Sequence, residues 1–198
     1  KNVLQTLGAI HYLTAKEIKS NNAYLNFNKN NKKIVSLIVG GPNNYYDFNE
    51  KEIGFLFNKI KIIFSPDKYK LIVVPSYRTP KNIIDMSFGV FGDDHVVVKS
   101  VDKKAYLSAL SLADYIVVTS DSTSMISESA VTGKPIYIAN MKAKKSSKRF
   151  NKFYNQFKQM KIIRDLENNI ETWGYNKLDE ASRVAAIIKK KMNLNGIN

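Results

Sequence analysis

From residue 30 onward the hydrophobic positions fall into short, nearly continuous runs, separated by stretches in which they recur every three or four residues. The runs are Ile34-Val35-Ser36-Leu37-Ile38-Val39, Lys70-Leu71-Ile72-Val73-Val74, His95-Val96-Val97-Val98, Tyr115-Ile116-Val117-Val118-Thr119 and Pro135-Ile136-Tyr137-Ile138. Strands apolar on both faces and separated by helix-length segments are what a parallel sheet covered by helices on both sides requires. The spacing predicts helices over 49–63, 80–88, 102–112 and 122–132. Asn49 followed by Glu50 and Glu52 reads as an N-cap with acids in the first turn, and Gly133 as a helix stop. The fold class is therefore α/β: a Rossmann-like, doubly wound parallel sheet.

The last third leaves this rhythm. Phe150, Phe153, Tyr154, Phe157 and Met160 share one helical face, and Leu178, Ala181, Val184, Ala185 and Ile188 form a second stripe, so two helices close the chain. Residues 1–30 fit the pattern poorly. They read as a strand at Val3-Leu4-Gln5-Thr6 followed by a polar, Asn-rich stretch, the end of a preceding domain plus a linker. Residues 31–198 then form one domain.

Composition narrows the chemistry. Among 198 residues, 31 Lys plus Arg face 17 Asp plus Glu, a formal net charge of +14, which favours anionic partners. No Cys means no disulfide, thiolate nucleophile or Cys-ligated metal, and two His argue against a His cluster, so no metal and no cofactor are expected. No run of eighteen apolar residues predicts a spanning helix, and Lys1-Asn2-Val3-Leu4 does not open a signal peptide. The expected location is cytoplasmic, or peripheral at an inner membrane. Beginning on Lys, the chain reads as a piece of a longer protein.

In open α/β sheets ligands sit beyond the carboxyl ends of the strands. After the fourth strand comes Thr119-Ser120-Asp121-Ser122-Thr123-Ser124-Met125, a hydroxyl-rich turn opening a helix that carries Glu128. The free N–H groups of such a turn and the helix dipole favour an anion, with Ser122, Thr123 and Ser124 as added donors. On a helical wheel Ser124 and Glu128 lie away from the sheet-facing arc of Met125, Ile126, Ser129 and Ala130, which leaves Glu128 free for sugar hydroxyls. Ordinary capping also explains Ser, Thr and Asp here, but one residue satisfies a cap. The first strand ends in Gly40-Gly41-Pro42-Asn43, a plain turn or a close approach to a ligand. The second ends in Ser76-Tyr77-Arg78, where Arg78 is either a phosphate partner or a surface arginine bonded to carbonyls. His95 reads as a structural turn residue, and His11 lies in the ill-fitting N-terminal segment. No Ser-His-Asp or metal spacing appears.

The segment 141–161 holds eight Lys or Arg and no acid. Lys142, Lys144, Lys145, Lys148, Arg149 and Lys152 are candidates for an anionic membrane surface, against the alternative that the aromatic stripe is core and the lysines a solvated face. No motif for specific nucleic-acid binding is present.

The residues resemble a known family, the mitochondrial-fission factors of plants and their bacterial homologues, some labelled nucleoside-diphosphate-sugar epimerases. The resemblance rests on Val118 through Glu128 and Thr132-Gly133-Lys134-Pro135, which are similar to a family pattern VTADSVSMISEA…TGKP. Gly40-Gly41-Pro42-Asn43, Ser76-Tyr77-Arg78-Thr79-Pro80, Arg149-Phe150, Leu178-Asp179-Glu180 and Thr6-Leu7-Gly8-Ala9-Ile10-His11 support it. It implies the C-terminal half of a type B glycosyltransferase fold, the half that binds the nucleotide-sugar donor, with an N-terminal Rossmann-like domain ahead of Lys1. It also implies Ser122, Thr123 and Ser124 at the diphosphate and Glu128 at the ribose. The chain departs in one place: Tyr77 stands where the family has a second arginine. The epimerase label draws no support from a dinucleotide fingerprint or a Tyr-x-x-x-Lys pair.

Two readings follow. One is a nucleotide-sugar-binding half of a glycosyltransferase-like protein, working without metal on an unknown acceptor, with Gly40, Gly41, Asn43, Ser76, Arg78, Thr119, Asp121, Ser122, Thr123, Ser124, Met125 and Glu128 at the ligand. The other is a non-catalytic adaptor that recruits a protein partner at a membrane surface.

Overall fold

The computed structural model describes residues 3–194. In chain order its elements are α1 (Ala15–Ser20), β1 (Lys33–Val39), α2 (Glu50–Ile63), β2 (Tyr69–Pro75), α3 (Lys81–Phe91), β3 (Val96–Val97), α4 (Lys103–Leu112), β4 (Tyr115–Thr119), α5 (Thr123–Ser129), a 3-10 turn at Ala130–Thr132, β5 (Ile136–Ala139), α6 (Lys148–Gln159), β6 (Ile163–Asp165) and α7 (Glu180–Leu194). Every strand pairing is parallel, and the order across the sheet is β3-β2-β1-β4-β5-β6. This is the Rossmann-like, doubly wound arrangement expected.

Alternation along the strands builds two core layers. Ile34, Ile38, Ile116, Val118, Ile136 and Ile138 point to one face, where they pack with Leu107 and Leu110 of α4, Ile126 of α5 and Phe157 of α6. Val35, Leu37, Val39, Val73, Val117 and Tyr137 point to the other, against Ile53, Phe57 and Ile60 of α2 and Ile83 and Phe91 of α3. A one-residue slip of any central strand would exchange these sets, so register is strongly specified.

Several elements differ from the sequence pattern. The strand expected at 95–98 pairs only over Val96–Val97, and His95 turns inward, its Nδ1 accepting the Leu71 N–H at 3.3 Å. Burial lowers the His95 pKa to about 4, because a charged imidazole loses its hydration there. The segment 122–132 is α5 plus the 3-10 turn, stopped by Gly133 in the left-handed conformation. Val3 to Thr6 lie outside any strand, while α1 and β6 are additional elements. Residues 7–27 pack on the domain, with Leu13 and Ile18 buried in its core and Leu7, Leu25 and Phe27 against it. The α6 stripe is core at Phe150 and Phe157. The α7 stripe is covered at Leu178 and exposed at Ala185 and Ile188.

Candidate functional site

The chain runs from β1 to β2 on one side and β4 lies on the other, so the loops leaving β1 and β4 diverge. The crevice outside such a divergence is where an open α/β sheet accepts a ligand. Here Gly40-Gly41 leaves β1 and Ser120-Asp121-Ser122 leaves β4, one strand apart.

At the centre of this crevice sits Asp121, whose side chain is fully buried. Its carboxylate accepts from the Thr119 hydroxyl at 2.6 Å, from the Gly41 N–H at 3.1 Å and from Arg78 Nη2 at 2.6 Å. Thr119 Oγ1 also accepts the Gly40 N–H at 2.8 Å, and Asn43 Nδ2 donates to the Asp121 carbonyl at 3.1 Å. Arg78 donates through Nη1 to the Gly41 carbonyl at 2.6 Å. Both glycines are explained by these contacts. A Cβ on Gly40 would lie 2.2 Å from the Asp121 carboxylate, and one on Gly41 1.9 Å from the Arg78 carbonyl oxygen. Only a residue without a Cβ lets these backbones meet.

Around this network lie two clefts. The first, about 280 Å³, has an apolar floor that includes Leu13, Ile38 and Met125, and its walls include Tyr12, Tyr77 and Tyr106. Tyr77 is 92% exposed and Tyr12 72%, unusual positions for aromatic rings that rim a cavity. Glu128 reaches this cleft, where its Oε2 accepts the Tyr106 hydroxyl at 2.7 Å. Desolvation raises the Glu128 pKa above the ordinary carboxylate range, and burial followed by the Glu128 charge raises that of Tyr106 well above the usual phenol value. The second cleft, about 300 Å³, is polar and includes Asn43, Thr123, Ser124, Ser147 and Arg149. Two helices begin on it. Ser122 caps α5, its Oγ accepting the Met125 N–H at 3.4 Å, and Ser147 caps α6, accepting the Phe150 N–H at 3.3 Å. First-turn N–H groups that no cap or carbonyl reaches point out of a helix start, and the dipole adds positive potential. Arg78 and Ser122 line both clefts.

The site residues read from sequence thus separate into two sets. Asn43, Ser76, Arg78, Ser122, Thr123, Ser124, Met125 and Glu128 lie on the clefts. Gly40, Gly41 and Thr119 stand behind them, and Asp121 touches the second cleft with its hydrogen bonds already spent on the loop. The carbonyl bonds foreseen for Arg78 are present, and its guanidinium also lines the clefts. Sequence reasoning missed Tyr12, Tyr106 and Ser147, and it placed Arg149 on a membrane face alone. Tyr106 comes from α4 and Tyr12 from the N-terminal segment, so no local motif connects them to the loop. That segment is held over α5: the Ala9 N–H donates to Ser127 Oγ at 3.0 Å, and the Leu7 N–H to the buried Glu180 at 2.7 Å. Among the described residues no group of three or more His, Asp or Glu is placed to hold a metal.

The family model described as Mitochondrial fission ELM1 matches residues 1–192. The chain is 32% identical over 196 residues to the uncharacterized protein RP120 of Rickettsia prowazekii (strain Madrid E), covering 95% of the chain and 55% of that protein. It is 29% identical over 126 residues to the mitochondrial fission protein ELM1 of Arabidopsis thaliana, covering 61% of the chain and 29% of that protein. The chain therefore spans about half the length of one relative and less of the other. Among solved structures, S. aureus MnaA determined with UDP aligns at a TM-score of 0.50 and 11% identity, over 92% of this chain and 41% of that one. The UDP-GlcNAc 2-epimerase of Neisseria meningitidis bound to UDP-GlcNAc aligns at 0.45 and 11%, over 92% and 42%. At 11% identity the likeness to MnaA is one of fold.

Proposed function

The chain belongs to the mitochondrial fission ELM1 family, and from that premise we propose that it is the nucleotide-binding half of a glycosyltransferase-like protein, taking a nucleoside diphosphate or its sugar conjugate. One observation carries the reading: an apolar, tyrosine-rimmed cleft and a polar cleft at two helix starts meet at Arg78 and Ser122. A nucleoside diphosphate has that same division, a flat ring and a diol followed by two phosphates. In this reading the base stacks on Tyr77, beside Tyr12, whose ring already carries the Lys103 ammonium at 4.8 Å, and Glu128, held by Tyr106, accepts from the ribose hydroxyls. The phosphates lie against the first turns of α5 and α6 with Arg78 and Arg149. MnaA, the fold neighbour solved with UDP, is consistent with it.

If a sugar is transferred, the step is loss of the diphosphate from the anomeric carbon as an acceptor oxygen attacks. The helix starts and the arginines supply charge stabilisation for the departing phosphate, which is greatest as the bond breaks. The acceptor, the general base and any sugar contacts beyond this chain belong to the rest of the protein.

The test is calorimetric titration of the full-length protein with UDP, GDP, ADP and their sugar conjugates at moderate salt, since a +14 chain attracts any anion weakly. Saturable binding is expected, weakened by about 1–3 kcal/mol in Glu128→Ala through the lost ribose hydrogen bonds. Binding that is unchanged in this variant, or that fades with salt for every base alike, removes the proposal. The second reading, a non-catalytic adaptor, is favoured by the Arg78 guanidinium, already engaged by Asp121 at 2.6 Å and by the Gly41 carbonyl. A titration without nucleotide binding would leave the adaptor standing.

A further inference from the structure

We propose that the exposed basic face leading into and along α6 is a docking surface for an anionic lipid bilayer. Of its cations only Arg149 also lines the polar cleft of the proposed nucleotide site. Residues 141–161 hold eight cations and no acid, more than half of the chain's net charge in a tenth of its length. Lys144 and Lys158 are paired, with Asp47 at 2.8 Å and Asp165 at 2.5 Å. Lys142, Lys145, Lys148, Arg149 and Lys152 are exposed, and among the described residues none has a carboxylate within salt-bridge distance.

What separates a bilayer from other polyanions is how α6 is mounted. Phe150 and Phe157 are buried, and Phe153 and Tyr154 pack against the same core. The Tyr154 hydroxyl donates to the Ser120 carbonyl, tying α6 to the loop that follows β4. The helix therefore cannot roll its apolar side outward to insert, and its charges are held in fixed places on its outer side. Exposed rings for stacking on bases, which single-stranded nucleic acid uses, are absent from the described residues of this face: Tyr45, beside it, already lies under the Lys145 ammonium at 5.1 Å. Fixed cations without an inserting face fit reversible, salt-sensitive attraction to anionic headgroups. Because Ser147 and Arg149 also line the polar cleft, docking in this way sets the mouth of that cleft beside the membrane.

The test is co-sedimentation of the full-length protein with vesicles of phosphatidylcholine alone, and with vesicles of equal parts phosphatidylcholine and phosphatidylglycerol. Binding is expected to the second only, and to fall as salt rises. Two variants of equal net charge are compared: Lys142, Lys145, Lys148 and Lys152 each changed to Glu, and Lys16, Lys51, Lys68 and Lys99 each changed to Glu. All eight positions are exposed, so both variants should fold, and circular dichroism checks that they do. The first should lose binding by roughly a hundredfold or more, at about fivefold per lost cation, and the second should lose far less. If both lose binding equally, attraction by total charge replaces the docking face. Binding to neutral vesicles overturns the proposal, as does a first variant that loses poly(U) binding and keeps vesicle binding. A set with Gln in place of Glu at the four α6-side positions should fall between wild type and the Glu variant.

Discussion

Thr119 and Asp121 belong to the same polar run between β4 and α5 as Thr123 and Ser124; the three hydroxyl residues are of the kind that bind phosphates, whereas the Asp121 carboxylate would repel one. The first pair is buried and fully used: the Thr119 hydroxyl bonds Asp121, and Asp121 bonds Gly41 and Arg78. The second pair lies on an open polar cleft at the start of α5. The contrast teaches that one polar run does two jobs. Its first half locks the loops that leave β1, β2 and β4 to each other, and its second half presents groups on the surface so fixed. A residue of the inner pair should be read through stability, and one of the outer pair through ligand affinity.

Asp121→Ala should break the comparison most visibly if it is wrong. Removing the buried carboxylate strands the Thr119 hydroxyl and the Gly41 N–H and leaves Arg78 without its partner, for a loss of about 3–5 kcal/mol in urea unfolding. A loss under about 1 kcal/mol would show that the network is not structural. Gly41→Ala comes next, because its Cβ would meet the Arg78 backbone at 1.9 Å. A backbone shift of this kind should cost about 2–3 kcal/mol, read as a lower unfolding midpoint. On the outer side, Arg149→Ala should leave stability within about 0.5 kcal/mol and weaken nucleoside diphosphate binding by about 1.5–2 kcal/mol, read by calorimetry. Ser124→Ala should show the smallest effect, about 0.5–1 kcal/mol in affinity with unfolding unchanged. A large stability loss in either outer variant would erase the distinction.

Acidity offers a further way to sharpen it. Burial raises the Glu128 pKa, so this carboxylate takes up its proton at a higher pH than an ordinary glutamate. Nucleotide affinity should therefore begin to fall on acidification while exposed glutamates are still charged, and Glu128→Gln should flatten that part of the profile. On the stability side the sign follows from His95. Its pKa is about 4 in the folded chain against 6.5 when free, so the unfolded chain takes up the proton first. Stability should decline as the pH falls from 6.5 towards 4, and His95→Gln should reduce that slope.

Much of the sheet was legible because its central strands are apolar on both faces. Continuous runs such as Leu71-Ile72-Val73-Val74 admit little else. β6 was hidden because it is three residues long and its middle residue, Arg164, faces solvent. α1 was hidden because only Ile18 of its six residues is buried. At the site, residue type and loop position identified the crevice. They did not show that Asp121 is turned inward onto the loops and Ser124 outward onto the cleft, since both sit in one polar run. The aromatic rim was beyond local reading, because Tyr12 and Tyr106 arrive from elements remote in sequence.

The Asp121 network also has a consequence in time. Its bonds join positions separated by 80 residues, as from Gly41 to Asp121, and by 43, as from Arg78 to Asp121. Such contacts close only after β1, β2 and β4 have come together, and long-range parallel pairing is the slow part of folding. The crevice is thus completed late, and a refolding chain should collapse and gain helix before it gains a place for a ligand. Recovery of binding would serve as a clock for the last stage of assembly.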